Sequence, residues 1–163
     1  MTYEEKLKEL RRKNSEIRKL KSETLKISQS IFDDFRGHIF DKYSELESFG
    51  WTQYTPYFND GEACIFYANT DYIYINNECA EDSNWYSKEN VVSWGTWNSE
   101  SRSYEGRVSE PNDNYNQELV DACGEIVDFL GNFDNDFYLS KFGDHAEITV
   151  TKDSVDISDY DHD

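Results

Sequence analysis

Apolar residues in the first thirty positions fall on one narrow stripe. Tyr3, Leu7, Leu10, Asn14 and Ile17 alternate spacings of four and three, and Leu20, Thr24, Ile27 and Ile31 resume the pattern after a short step. The stretch from Thr2 to about Ile27 is rich in Glu, Lys, Leu and Arg and has no Gly or Pro, which predicts a long helix. Glu4 with Lys8 and Glu9 with Lys13 support it at the favourable i,i+4 spacing. A stripe this narrow is a coiled-coil seam with a stammer near Ile17, and its dimerisation positions are Leu7, Leu10, Asn14, Ile17 and Leu20. A polar Asn14 at an inward position weakens the seam but fixes register and partner number, which favours a two-stranded parallel pairing. Two alternatives stand beside self-pairing: the helix lies on its own domain, or it stands free as an arm.

From Ile31 the apolar face broadens. Ile31, Phe32, Phe35, Ile39, Phe40, Tyr43 and Leu46 recur at helical spacing and belong on a domain core, with Gly37 marking a bend and Phe49-Gly50 the end. Trp51 to Phe66 then predicts a β-hairpin turning at Asn59-Asp60-Gly61, a rigid aromatic unit that nucleates the core. Pro56 cannot donate to a ladder, so the first strand is expected at a sheet edge or with a bulge. Tyr72 to Ile75 adds a third strand to make a meander. Asn76 to Ser109 is the least regular part, with a strand over Val91 to Thr96. Trp94 is expected to plug the core, while Trp85 and Trp97 fit either core or an exposed recognition surface.

A helix is predicted to start with Ser109 as N-cap and Pro111 in its first turn, to bury Tyr115, Leu119, Cys123, Ile126 and Leu130, and to stop at Gly131. Asp134 caps a short helix through Phe142, closed by Gly143. A second hairpin, Glu147 to Thr151 with Val155 to Ser158, closes the same sheet with one wet face. The fold class is therefore α+β: an antiparallel sheet packed on helices, with a long N-terminal helix able to form a coiled coil. The expected division is a basic helix over 1–30 and an acidic α+β domain over 31–163.

Charge sharpens that division. The formal net charge of the 163 residues is −18. Residues 1–30 hold nine Lys and Arg against five Glu, a net of +4, which leaves seven basic and 29 acidic residues, or −22, in the remainder. A body this acidic repels nucleic-acid phosphate and is drawn to basic surfaces of the kind that hold DNA or RNA. Acidity that serves only solubility is the simpler alternative; halophilic adaptation fits poorly with the Lys-rich N-terminus. Aromatic residues make up 16% of the chain, so the low mean hydropathy of −0.88 reflects a charged surface around a real core. Three cysteines at no ligand-like spacing, a charged N-terminus and the absence of a membrane-length apolar run lead to the expectation of a soluble cytoplasmic protein with reduced thiols.

Candidate chemistry is sparse. The cysteines are far apart and His38, His145 and His162 are scattered, which does not make a zinc site. Neither Asp134-Asn135-Asp136 nor Asn112-Asp113-Asn114 continues into a calcium loop. No phosphate-cradling glycine loop, nucleophile elbow or HExxH pair occurs. One grouping could act as acid and base or hold a divalent metal if it converged: Asp60 and Glu62 at the hairpin tip, His145, and Asp161-His162-Asp163. Acidic residues fill the chain, so carboxylates near a histidine are expected by chance. The terminus suggests another use: Asp153, Asp156, Asp159, Asp161 and Asp163 outnumber the single Lys152 and could take positions that phosphates occupy in a basic groove. A solvated, frayed tail is the plainer account.

Trp51, Gln53, Tyr54, Thr55, Pro56, Tyr57, Phe58, Asn59, Asp60, Gly61, Glu62, Cys64 and Phe66 resemble a segment of small acidic proteins, mostly uncharacterised, encoded by tailed phages and some bacteria. The ending Tyr160-Asp161-His162-Asp163 resembles the close of the same proteins. The resemblance covers about Ile39 to Phe66 and Phe142 to Asp163; it implies a habitat and no mechanism. Charge, habitat and the lack of a catalytic motif lead to the expectation of a non-enzymatic inhibitor without a cofactor. It would bind a host protein through that protein's basic nucleic-acid-binding surface, contacting neither nucleic acid nor membrane itself, and act as a homodimer. The acidic contact residues would be Asp153, Asp156, Asp159, Asp161, Asp163, Asp60 and Glu62. A protein that sequesters a signalling nucleotide and a metal-dependent hydrolase using tip and tail carboxylates are the rivals.

Overall fold

The computed structural model describes residues 2–58 and 61–161. Expectations resting on Asn59, Asp60, His162 and Asp163 lie outside the described residues.

One helix replaces the expected two. α1 runs from Tyr3–Lys42 without interruption, through Gly37, and opens with a capping box in which Thr2 and Glu5 satisfy each other's backbone N–H. Gly37 bends nothing because it is exposed, has no packed neighbour and is flanked by residues that carry the helix across it. The expected end at Phe49-Gly50 is also displaced: α1 stops at Lys42, and both residues belong to the first strand. Only its C-terminal half is embedded. Phe32, Ile39 and Phe40 are buried, whereas from Tyr3 to Thr24 every residue is exposed except half-buried Leu7.

β1 (Ser48–Tyr54) is the middle of the molecule. β9 (Ala146–Thr151) pairs with it along six residues, from Ser48 with Thr151 to Gln53 with Ala146. Its other edge is taken by β2 (Tyr67–Ala68) and β3 (Tyr74–Ile75), which lie end to end as an interrupted strand. Among the described residues, β4 (Glu78–Cys79) and β10 (Val155–Asp159) close the two sides to give six antiparallel strands in the order β10-β9-β1-β3-β4, with β2 beside β1. Three expectations change. The first strand is central and not an edge, because Pro56 falls two residues beyond its end and removes no ladder bond. The strand that pairs back onto β1 starts only at Tyr67, beyond the expected Phe66, and Gly61 before it has φ +87°. The third strand does not extend a meander but shares β1's edge with the second.

Alternation along the strands sets the core face. Phe49 and Trp51 on β1 lie opposite Val150 and Ile148 on β9, all buried. Against them pack α1, α2 (Gln117–Leu130) and α3 (Asn135–Phe142). Trp51 is 0% exposed and meets Phe32, Tyr138 and Phe142 edge-on at ring separations of 6.4, 5.9 and 5.1 Å. Gly50 is required by close approach: a Cβ there would stand 2.3 Å from the Ile148 carbonyl oxygen.

α3 is capped by Asp134, which accepts from Phe137 N–H, and is followed by Gly143, as the sequence predicts. α2 starts later than expected. Asn116 is its N-cap, accepting from Leu119 N–H at 3.1 Å, while Ser109 and Pro111 belong to a strand. That strand, β8 (Val108–Pro111), pairs with β5 (Glu89–Ser93); beyond it β6 (Thr96–Asn98) pairs with β7 (Ser103–Glu105). Together they form a two-stranded ribbon over 89–111, apart from the main sheet and almost wholly exposed. No helix among the described residues is long and apolar enough to cross a membrane.

Candidate protein-interaction surfaces

The stretch from Trp51 onward and the C-terminal stretch, far apart in sequence, meet at one corner of the sheet. Gln53, fully buried, accepts from the Trp51 indole N–H at 3.1 Å and donates to the carbonyls of Tyr138 and Gly143 at 3.1 and 2.5 Å. One amide thus ties β1 to the middle of α3 and to the glycine that follows it. Next to it, Asp144 accepts from Thr55 N–H and hydroxyl, each at 2.7 Å, and from His145 N–H at 2.8 Å. Partial burial pushes the Asp144 carboxyl up, but the Thr55 and His145 hydrogen bonds and the His145 ring outweigh it, and the group lies below its ordinary value.

His145 has φ +51°, a conformation uncommon outside glycine, and stacks on Tyr57 at 4.8 Å and 10°. Tyr54 packs between Tyr67 and Tyr160, at 4.7 and 5.6 Å, and hydrogen-bonds the Tyr67 hydroxyl. Burial first, then that hydroxyl, pushes the Tyr67 phenol up to about 12. These contacts fasten Tyr160 to the sheet, with its N–H bonded to the His145 carbonyl at 2.8 Å. Among the described residues no group of three or more His, Cys, Asp or Glu is placed to hold a metal ion. Glu62, between β1 and β2, is exposed.

Four of the acidic positions named from sequence lie on or beside β10, while Glu62 does not and Asp60 and Asp163 lie outside the described residues. Among the described residues β10 pairs only with β9, which leaves its other side open. Asp153 in the turn before it, Asp156 and Asp159 within it and Asp161 after it are all exposed. Asp156 and Asp159, three residues apart on β10, project to opposite faces of the sheet, and Asp153 and Asp161 flank the strand at its two ends. Lys152, the nearby cation in sequence, is turned away: its ammonium lies 2.6 Å from Asp41 on α1. That hydrogen bond raises the lysine and lowers the aspartate from their ordinary values.

A second surface lies where the sequence leaves core and exposed recognition surface open for Trp85 and Trp97 and favours core for Trp94. Trp94, expected in the core, is 58% exposed, and Trp97 is 53% exposed; only Trp85 of the three is buried. The reason is topological: Trp94 and Trp97 sit on the ribbon, which has no layer packed over it. Trp97 meets Tyr104 edge-on at 5.1 Å, Trp94 lies 6.2 Å from the same ring, and the Arg107 guanidinium stands 5.1 Å over Trp94. The ribbon's base is fixed by buried Asn112, whose amide donates to the Asn84 and Ser87 carbonyls at 2.5 and 2.7 Å. The signal available in the sequence was the alternation of Trp, Tyr and Val with polar residues over 91–108. Phe58, grouped with the structural aromatics of the hairpin, is likewise 79% exposed.

The seam positions Leu7, Leu10, Asn14, Ile17 and Leu20 are on α1's free part, where Leu10, Ile17 and Leu20 are more than half exposed. A coiled coil is not formed within the single chain.

Compared with models of known protein families, with characterised proteins and with solved structures, the chain matches none.

Proposed function

We propose that this protein is a stoichiometric inhibitor of a nucleic-acid-handling enzyme of a host cell, of the kind phages encode against defence systems, such as a CRISPR effector or restriction nuclease. It acts in the host cytoplasm by seating its acidic body in the target's basic groove and excluding nucleic acid. The observation that carries this reading is the open β10 edge, where Asp153, Asp156, Asp159 and Asp161 stand exposed while Lys152 is held by Asp41. Most of the body's other carboxylates also lack a cationic partner among the described residues, so the −22 charge is presented outward. The exposed Trp94, Trp97, Tyr104 and Arg107 add the residue types that carry most binding energy at protein interfaces. Charge gives fast, steered encounter; the aromatic ribbon gives the desolvated anchor.

Affinity capture from defence-carrying cells supplies the target, and titration of its activity tests the mechanism. Inhibition that saturates at a fixed molar ratio is expected. Complete loss of target activity at about a hundredth of that ratio, with turnover over time, would overturn the proposal in favour of hydrolysis.

A further inference from the structure

α1 and the segment from Asn132 to Ser140 diverge where the helix leaves the body, and between them lies an open groove of about 570 Å³. Its walls are apolar: Ile17, Leu20 and Leu25 on one side, Phe133 and Leu139 on the other. Asp134 and Asp136 stand on its rim. Asp136 already attracts one arm cation, Lys21, at 2.8 Å. The apolar stripe of the exposed arm continues directly into this groove, since Ile17 and Leu20 belong to both.

We infer that the occupant is a second copy of this chain, its α1 laid antiparallel along the first so that each basic arm enters the partner's groove. Charge decides the orientation. Parallel pairing, which Asn14 alone favours, sets two bodies of net −22 at the same end of the pair. Antiparallel pairing separates the bodies and runs each +4 arm beside the other's acidic rim. In the register that sets Asn14 opposite Ile17, Leu7 comes level with Thr24 and Tyr3 with Ser28 of the other copy. This brings Tyr3 and Leu7 to the stretch of α1 that lines the groove. Lys6 and Arg11, which flank the seam, have no ion pair among the described residues and come level with the partner's rim. The inference is independent of the proposed inhibitory activity.

Cross-linking separates the arrangements. Leu7→Cys and Thr24→Cys are made as separate full-length proteins in a Cys64→Ser, Cys79→Ser background, leaving buried Cys123 in place. Mixed and oxidised, they are expected to form a disulfide-linked heterodimer, while each alone stays uncross-linked because like positions lie roughly 26 Å apart along antiparallel helices. Self-cross-linking of Leu7→Cys would overturn the orientation, and a monomer mass by light scattering at the highest soluble concentration would overturn the pairing. Leu10 is exposed in the single chain, so Leu10→Lys should give a monomer with an unaltered near-ultraviolet spectrum. Lys6→Glu with Arg11→Glu should raise the dimer dissociation constant by about tenfold or more; no change would remove the charge argument for the orientation.

Discussion

Gln53 is a polar side chain in the middle of an apolar core, and its position makes it costly to replace. It serves the Trp51 indole and two carbonyls at once, so Gln53→Leu removes a partner from two buried polar groups and one part-buried one in exchange for a better-matched surface. A loss of about 2–4 kcal/mol is expected in chemical denaturation, comparable to the roughly 3–5 kcal/mol for Trp51→Ala. A Gln53→Leu variant as stable as the parent would show that the amide is not needed to hold α3 on the sheet. Asp144 gives a prediction with a sign. Its folded carboxyl lies below the ordinary aspartate value of 3.8, so its stabilising effect is present above that pH and is lost as pH falls through the depressed folded value. The difference in melting temperature between the parent and Asp144→Asn should therefore be full at neutral pH and shrink below pH 3.8. A gap that widens on acidification would contradict the hydrogen-bond pattern around Thr55.

Among the elements, α1 and the ribbon depart furthest from what the sequence predicts, for opposite reasons. Gly37 looks like a bend because glycine is a poor helix former, yet no cap or proline accompanies it and the helix continues. Gly37 is exposed with open space around it, so Gly37→Ala should stabilise the chain by about 0.5–1 kcal/mol. A loss of stability would indicate packing at that face that the single chain does not have. The ribbon over 89–111 has the alternation of a strand pair but not its usual cause, burial of one face. Amphipathic pattern alone could not tell Trp94 on a bare ribbon from Trp94 in a core. Trp94→Ala with Trp97→Ala should leave the unfolding free energy within about 0.5 kcal/mol of the parent, as for exposed sites, while weakening target binding. A large loss of stability would instead make the ribbon a structural element.

At the scale of the whole molecule, the helical and sheet halves of an α+β fold were legible. α3 with its Asp134 cap and the β9–β10 hairpin follow from local chemistry that no distant contact overrides. The central place of β1 was not legible, because pairing with β9 joins residues about a hundred positions apart and no local signal records it. The same long-range closure makes the corner of Thr55, Tyr57, Asp144 and His145. The acidic edge was legible as charge; what the fold adds is that β10 is open on one side and that Lys152 faces α1. Neutralising Asp153, Asp156, Asp159 and Asp161 together to Asn should slow association with the target and flatten its salt dependence without unfolding the protein, since exposed carboxylates contribute little to stability.

The most direct measurement is a competition on the captured target enzyme, using fluorescently labelled nucleic-acid substrate and increasing amounts of this protein. Occupation of the basic groove predicts mutually exclusive binding: labelled substrate is released as the protein binds, with a midpoint that shifts upward in proportion to substrate concentration. A stable ternary complex of target, nucleic acid and this protein would contradict the account.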